Sequence, residues 1–192
     1  DKLHAVLLHD ISELSKPYGN LIAQKLNNLK QQKIIKNLGV SVYTPSDLDM
    51  VLKTLDVDIV QAPLNVFDQN IISSGYAAKL NSKNIELHTR SAFLQGMLLC
   101  PVNKLPKQFL KWKEVWINYE RALKENNLSP LKACLDYCLN QNLVNRVVLG
   151  VDSLNQLEAI IKTVMQPNIE LDWSNFFQAD KVLTNPSKWK KS

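Results

Sequence analysis

Five short apolar runs, each followed by a segment of helical periodicity, constrain the fold of this chain more than any other feature. The runs are rich in Val, Ile and Leu, as expected for parallel strands that are buried on both faces. We predict strands over residues 4–9, 34–41, 58–62, 85–90 and 145–150. Because strands and helices alternate, the connections are right-handed parallel crossovers, and the fold is either an eight-fold barrel or a doubly wound sheet.

The segments between the strands carry apolar residues at helical spacing and, in two places, a capping signal. Thr44-Pro45 and Ser129-Pro130 each combine an N-cap residue with a proline suited to the first turn. We predict helices over residues 15–31, 45–54, 68–82, 105–125, 129–140, 153–165 and 173–182. No linker or repeat divides the chain, so residues 1–192 are expected to form one domain.

Charge and targeting signals argue against several classes of function. The net charge of +5 comes largely from scattered Lys residues, without the aromatic-interleaved basic stripe of nucleic-acid-binding proteins. The sequence shows no signal peptide and no apolar run long enough to span a bilayer. We therefore expect a cytoplasmic protein that binds neither nucleic acid nor membrane.

Two groups of side chains resemble functional clusters but are expected to pack in the core. Cys134 and Cys138 lie four residues apart on a predicted helix, and no His or acidic residue joins them at ligand spacing, so no metal site is predicted. Trp112, Trp116 and Tyr119 form an aromatic stripe on the helix predicted over 105–125. Such a stripe is typical of a helix that packs against a sheet or another helix.

Polar side chains follow the predicted strands, at the end where α/β folds bind their ligands. In chain order, the first three exits carry His9, Ser41 and Gln61. The fourth exit carries Arg90 and Ser91, followed by Phe93 and Gly96, and the fifth carries Gly150, followed by Ser153 and Gln156. The last group lies at a helix start, where unpaired backbone N–H groups favour a phosphate. A polar group at each successive exit is what a cofactor lying across the mouth of a barrel requires.

Five motifs, taken in chain order, are specific enough to point to a family. They are Gly39-Val-Ser-Val, Val60-Gln-Ala-Pro-Leu-Asn65, Arg90-Ser-Ala-Phe-Leu-Gln-Gly-Met-Leu, Gly150-Val-Asp-Ser-Leu-Asn-Gln-Leu157 and Asn185-Pro-Ser-Lys-Trp189. Together they resemble the aldo/keto reductase family, in its bacterial soluble branch. The resemblance implies a parallel (β/α)8 TIM barrel, of which this chain supplies about the last five β/α units, with about three expected on the N-terminal side. It also implies NAD(P)H-dependent reduction of a small aldehyde or ketone to an alcohol.

The resemblance further implies a role for each residue at the strand exits. His9 stands where the family keeps the His that polarises the substrate carbonyl, and Ser41 and Gln61 stand where it holds the nicotinamide carboxamide. In the family an aromatic ring usually stacks on the nicotinamide near Thr89-Arg90, but this chain has no aromatic residue there. The loop over the pyrophosphate is matched by Ser91, Phe93 and Gly96. The segment that grips the adenosine side is matched by Gly150, Ser153 and Gln156.

Several positions depart from the family pattern. Val42 replaces the Asn that usually follows Ser41, and Ala159-Ile160 replace a Glu-Asn pair of the adenine grip. Gly150 replaces the Lys or Arg that pairs with the NADP phosphate in many members, so NADP and NAD both stay open as cofactors.

The family's general-acid Tyr, its Lys partner and a supporting Asp belong to the first three strand–helix units, which this sequence does not include. Tyr18 and Tyr43 have no Lys and Asp at recognisable spacing, so both are assigned surface or packing roles. We therefore expect this chain alone to be inactive, and its open barrel edges to self-associate. The alternative is a truncated, non-catalytic nucleotide-binding or regulatory interaction protein.

Overall fold

The computed structural model describes residues 3–189, and its central element is a sheet of five strands that lie side by side in chain order. The pairings of the first four strands are all parallel. The strands are β1 (Leu3–Leu8), β2 (Ile35–Ser41), β3 (Ile59–Pro63), β4 (Glu86–Arg90) and β5 (Arg146–Val147). This order confirms the predicted parallel α/β class and matches successive units of a (β/α)8 barrel.

Helices follow the strands along the chain. They are α1 (Gly19–Gln31), α2 (Asp47–Thr54), α3 (Asn70–Ser73), α4 (Tyr76–Asn81), α5 (Lys113–Glu125), α6 (Pro130–Leu139), α7 (Leu154–Val164) and α8 (Lys181–Thr184). Short 3-10 segments lie at Ile11–Ser15, Met97–Leu99, Val102–Lys104, Lys107–Trp112, Ser174–Phe176 and Pro186–Lys188. Within residues 3–189, none of the helices has both the length and the apolar character needed to cross a membrane.

Three predicted helices are interrupted. The helix predicted over 68–82 is divided into α3 and α4 because Gly75 adopts a left-handed φ of +79°. The helix predicted over 173–182 is instead two short turns, because the carboxylates of Asp172 and Asp180 accept the backbone N–H groups of Ser174 and Val182 and start a separate turn at each place. The segment predicted as one helix over 105–125 begins with a 3-10 stretch before α5.

Two further predictions need correction. The strand predicted over 145–150 is reduced to β5, where the Asn145 side chain takes part in the ladder by accepting the N–H of Leu87 at 2.8 Å. The cap predicted at Thr44 is wrong. It is Asp47 whose carboxylate accepts the N–H groups of Tyr43 and Thr44 before α2. By contrast, Ser129 caps α6 as predicted, since its hydroxyl accepts the N–H of Lys132.

The described residues divide into two compact units. The first comprises the described parts of Asp1–Pro63, Asn70–Arg90 and Leu143–Arg146, and contains β1–β4 with α1–α4. The second comprises the described parts of Leu64–Gln69, Ser91–Asn142 and Val147–Ser192, and contains α5–α8. Each unit has its own buried apolar core.

Neighbouring rows of the sheet in the first unit differ in character toward its carboxyl end. In register, Val40 of β2 lies beside Val60 of β3, which lies beside Leu87 of β4, and all three are almost fully buried. Because side chains alternate along a strand, the next row belongs to the opposite face. That row consists of Ser41, Gln61 and His88.

The core of the second unit is rich in aromatic rings. Trp116 and Tyr119 are buried, and both meet the Phe67 ring edge-on, with centroids 5.0 and 5.6 Å away. Trp112 is half-buried and donates its indole N–H to Asp180. The packing role predicted for this stripe is therefore confirmed for its two buried members.

The thiols of α6 belong to the same core. Cys134 and Cys138 are fully buried and unbridged, as predicted from their spacing. Burial raises the pKa of Cys134 to about 12, because a thiolate would lose its hydration there. The pKa of Cys138 is raised for the same reason. Both thiols therefore stay protonated and unreactive at neutral pH.

Thr89 on β4 gives a direct test of the core of the first unit. Its hydroxyl is fully buried and has no hydrogen-bond partner among the described residues, a situation that costs roughly 1–3 kcal/mol. We expect Thr89→Val to raise the free energy of unfolding by about 1 kcal/mol in urea denaturation. Thr163→Val is the matched control, because the Thr163 hydroxyl donates to the Ala159 carbonyl. Its loss should therefore not stabilise the protein. If Thr89→Val were less stable than the wild-type protein, the conclusion that the Thr89 hydroxyl has no hydrogen-bond partner among the described residues would be wrong.

Candidate active site

Two polar side chains lie next to each other at the carboxyl end of the sheet in the first unit. Ser41 ends β2 and pairs in register with Gln61 of β3. Ser41 is 5% exposed and Gln61 is half-buried, yet neither side chain has a hydrogen-bond partner among the described residues. A hydroxyl and an amide held side by side present both donors and acceptors. The pair can therefore both donate hydrogen bonds to a polar ligand and accept them from it.

The local fold explains why this pair is well placed. The N–H of Val42 donates to the Gln61 carbonyl at 2.9 Å, so the ladder between β2 and β3 continues past Ser41. The Val42 side chain is buried in the apolar core. The residue that replaces the family's usual Asn thus contributes packing rather than a polar contact.

His9 follows β1 directly and is exposed. Since Leu8 pairs with Val40, His9 and Ser41 come next on their two strands. Asp10 caps the following turn by accepting the N–H of Ser12 at 2.9 Å, and these hydrogen bonds with Ser12 hold the pKa of Asp10 below its usual value. An ionised carboxylate therefore directly follows His9 in the chain.

Arg90 ends β4 and crosses toward the exit of β2. Its Nη2 donates to the Val42 carbonyl at 3.1 Å, and its Cζ lies 4.5 Å from the centroid of the Tyr43 ring. The sequence places Tyr43 just after a strand exit, but it gives no sign that this ring would support Arg90. Four of the predicted site residues thus lie toward one end of the sheet: His9 follows β1, Ser41 and Arg90 end β2 and β4, and Gln61 lies two residues before the end of β3.

The loop that follows Arg90 in sequence belongs to the second unit and has an unusual backbone. Positive φ angles occur at Ser91 (63°), Leu94 (46°), Gln95 (54°) and Gly96 (82°). Leu94 is buried and anchors the loop, while Phe93 is half-buried and Gly96 is exposed. Within the loop, the N–H groups of Leu94, Met97 and Leu98 donate to the carbonyls of Ser91, Leu94 and Phe93.

Asn65 holds this loop, and sequence reasoning missed that role. Its Nδ2 donates to the Ser91 carbonyl at 3.1 Å, while its Oδ1 accepts the N–H groups of Phe67 and Asp68. The side chain is fully buried, so its amide is committed to positioning backbone. The only sequence signal was an Asn just past the Pro63 turn.

The residues predicted for the adenosine side surround the start of α7. Ser153 is the N-cap and accepts the N–H of Gln156, whose Oε1 accepts the N–H of Asp152 at 2.8 Å. The two side chains are therefore brought together and satisfy the first backbone donors of the helix. Gly150 is exposed, and a Cβ atom built there meets nothing within 4 Å.

Two Tyr–carboxylate–Lys clusters are found among the described residues of the first unit. Tyr76 donates to Asp49, which also pairs with Lys79, and the hydrogen bond to this carboxylate raises the pKa of Tyr76. Tyr18 likewise donates to Glu13, at 2.9 Å. The phenol of Tyr76 is therefore held in its protonated form and is a weaker acid than a free tyrosine.

A model of the Aldo/keto reductase family matches residues 1–183, and the chain belongs to this family. A comparison with curated proteins finds no match.

Solved structures show the same fold. Aldo-keto reductase AKR11C1 from Bacillus halodurans, in its holo form, is 20% identical, with a TM-score of 0.68 over 88% of this chain and 58% of that one. The glycerol dehydrogenase AKR11B4 from Gluconobacter oxydans is 19% identical, with a TM-score of 0.65 over 100% of this chain and 61% of that one. The thermostable aldo-keto reductase Tm1743 is 14% identical, with a TM-score of 0.60 over 92% and 58%. The chain thus spans about three-fifths of the length of these relatives.

Proposed function

We propose that this chain binds NADP or NAD and forms part of an aldo/keto reductase that reduces an aldehyde or ketone to an alcohol. The observation that carries the proposal is the Ser41–Gln61 pair, whose polar groups lie side by side at the sheet edge without a partner among the described residues. Family membership supports the reaction class.

Each residue of the first unit has a distinct task in this proposal. The reduced nicotinamide, when bound, supplies the hydride. The Ser41 hydroxyl and the Gln61 amide hold and orient the carboxamide, which sets the face of the ring that meets the substrate. His9 directs a ring N–H at the carbonyl oxygen and stabilises the negative charge that develops there.

In the second unit, we assign the remaining contacts to the phosphates and the adenosine. The loop containing Ser91, Phe93 and Gly96 offers backbone N–H groups to the pyrophosphate, in the manner of an anion-binding nest. The adenosine side is assigned to Gly150, Ser153 and Gln156 at the start of α7.

The general acid is proposed to come from about three further β/α units that complete the barrel. The exposed apolar side chains of α7 and of the residue after it support this proposal. Leu154 and Met165 are 67% and 82% exposed, and Leu157 and Ile161 are also exposed. In the first unit, Leu3 and Leu21 are exposed as well. Apolar helix faces of this kind pack against neighbouring helices in α/β folds. The 192-residue chain alone is therefore expected to self-associate and to show no turnover.

The same exposed face of α7 favours one alternative, a non-catalytic nucleotide-binding protein that docks on a partner. The two readings differ in turnover by the full-length gene product. Reduction of carbonyl substrates supports the enzyme, whereas dinucleotide binding without turnover supports the alternative.

The proposal is tested by fluorescence titration of NADPH and NADH. We expect Ser41→Ala and Gln61→Ala each to weaken binding about threefold to tenfold, as each removes one hydrogen-bonding group. Ser82→Ala is the control, because Ser82 is exposed at the end of α4 and its hydroxyl donates to the Lys79 carbonyl. The proposal would be overturned if neither dinucleotide bound, or if neither substitution changed the affinity.

Gly150 offers a way to test the adenosine side. Since a side chain there has open space, Gly150→Lys can be accommodated without strain. We expect it to raise the preference for NADPH over NADH by roughly threefold to tenfold, because the ammonium pairs with the 2′-phosphate of NADPH alone. Gly150→Met is the uncharged control of similar length. An unchanged ratio of the two dissociation constants in Gly150→Lys would contradict this placement of the adenosine.

A further inference from the structure

A histidine of β4 lies in the same row of the sheet as Ser41 and Gln61. In register, Ser41 of β2 lies beside Gln61 of β3, and Gln61 lies beside His88 of β4. Side chains that pair in register on neighbouring strands share a face of the sheet, roughly 5 Å apart, which is the spacing between strands. The imidazole of His88 therefore adjoins Gln61 on the face that carries the proposed carboxamide site.

A carboxylate on the same strand fixes the orientation of this imidazole. Nε2 of His88 lies 2.7 Å from Oε2 of Glu86, and the His88 side chain is only 13% exposed. The hydrogen bond with His88 is the main reason that the pKa of Glu86 lies below its usual value, so this carboxylate is ionised at neutral pH. Since an ionised carboxylate can only accept, Nε2 carries the proton of this hydrogen bond.

Further charged groups in the first unit favour the ionised form of Glu86. Nε of Arg146 lies 3.9 Å from Oε2 of Glu86. The charges of Arg146 and His4 also lower the pKa of the Glu86 carboxyl, after the larger effect of His88. Glu86 therefore stays an acceptor, and the proton of the His88 ring stays on Nε2.

The second ring nitrogen of His88 is available to a ligand. The lone pair of Nδ1 points across the ring from Nε2, so it is turned away from Glu86. Nδ1 has no hydrogen-bond partner among the described residues. When the proton of a neutral imidazole is on Nε2, Nδ1 is a hydrogen-bond acceptor. Beside the hydroxyl of Ser41 and the amide of Gln61, the row thus offers one acceptor whose tautomer is set by a carboxylate.

We propose that Nδ1 of His88 accepts an N–H of the nicotinamide carboxamide, and that Glu86 is the positioning residue for this imidazole; this inference rests on the proposed function. A primary amide carries two N–H donors and one carbonyl acceptor. Ser41 and Gln61 can each donate or accept, so these two side chains alone fit an amide in more than one orientation. The acceptor on His88 selects the NH2 group. His88 is therefore a specificity-determining residue for the carboxamide and fixes the direction in which it is turned.

The test compares NADPH and NADH, each with its reduced 3-acetylpyridine analogue, in which a methyl group replaces the carboxamide NH2. Dissociation constants are measured by calorimetric titration of the purified protein at about pH 8, where an ordinary imidazole is neutral. We expect the wild-type protein to bind the carboxamide form more tightly than the analogue. His88→Phe should reduce this ratio about threefold to tenfold, the effect of one hydrogen bond, with little change in the affinity for the analogue. A substitution that only disturbed the sheet would weaken both ligands alike.

Three further variants separate the hydrogen bond from the shape of the side chain. His88→Asn keeps a carbonyl oxygen close to the position of Nδ1 and should keep most of the ratio. Glu86→Gln can donate to Nε2 and so allows the imidazole to carry its proton on Nδ1 instead, and the ratio should fall by less than in His88→Phe. His4→Phe is the matched control, because His4 lies on β1 outside the row and its replacement should leave the ratio unchanged.

The possible outcomes distinguish this inference from the proposed function. Equal affinities of the wild-type protein for the two forms, or a ratio that His88→Phe leaves unchanged, overturn the role of His88 but not dinucleotide binding. If neither NADPH nor NADH binds, the proposed function fails and this inference fails with it. If thermal melts show that His88→Phe does not fold, nitrogen NMR of the wild-type imidazoles decides. The Nδ1 resonance of His88 should shift when the reduced dinucleotide binds, and an Nδ1 resonance that stays unchanged overturns the inference.

Discussion

Asp136→Ala is expected to lower the free energy of unfolding by about 3–5 kcal/mol, because it leaves a buried ammonium without its counter-charge. Asp136 and Lys132 lie one turn apart on α6, with side chains only 2% and 6% exposed. The Lys132 ammonium contacts both carboxylate oxygens, at 2.6 and 2.5 Å. Asp136 also accepts the N–H of Ile169 at 3.1 Å, so its loss leaves a second donor without its partner. Chemical denaturation measures the change.

A paired substitution separates charge from packing at this site. The double variant Lys132→Met with Asp136→Leu replaces the ion pair by apolar side chains of similar volume, and such exchanges are often close to neutral. We expect it to be clearly more stable than Asp136→Ala. If the double variant were as unstable as Asp136→Ala, the cost would come from shape or from the lost bond to Ile169. If Asp136→Ala cost less than about 1 kcal/mol, the pair would not be buried as described.

Trp116→Ala is expected to cost about 3–5 kcal/mol, the usual range for removing a large buried aromatic side chain. Trp116 is 0% exposed, and its ring packs edge-on against Phe67 and tilted against Phe109. Its indole N–H donates to the Met97 carbonyl at 3.1 Å, immediately after the loop that contains Gly96. The substitution therefore removes both core volume and an anchor of that loop. The midpoint of urea unfolding reports the loss.

Trp116→Phe is the matched comparison. It keeps an aromatic ring but leaves the Met97 carbonyl without its donor, so we expect a smaller loss of about 1–2 kcal/mol. Trp112→Phe is the control, because Trp112 is only half-buried and its indole N–H reaches a side chain, Asp180. Equal stability losses in Trp116→Phe and Trp112→Phe would contradict the anchoring role of Trp116.

β2, β3 and β4 could be predicted from the sequence because each carries Val, Ile or Leu side chains that are buried in the core of the first unit. β2, β3 and β4 begin and end within one residue of the predicted bounds. β5 could not be predicted as well, since its length depends on which residues pair with β4 rather than on its own composition. The break at Gly75 follows from a positive φ, which a glycine permits but does not require.

The candidate site was partly predictable for a related reason. Parallel strands bring their carboxyl ends to one edge of a sheet, so the exits that carry His9, Ser41, Gln61 and Arg90 could be read in order. The roles of these residues toward a cofactor stay predictions. Contacts between distant segments could not be foreseen, such as the stacking of Arg90 on Tyr43 and the bond from Asn65 to Ser91. They depend on side-chain direction, which residue spacing alone does not encode.

The most direct test of the account is an experimental structure of the protein with NADPH at saturating concentration. We predict that the nicotinamide carboxamide lies within hydrogen-bonding distance of the Ser41 hydroxyl and the Gln61 amide, with the ring beside Arg90. A carboxamide held by other residues, or a dinucleotide bound away from the carboxyl ends of β2 and β3, would contradict it.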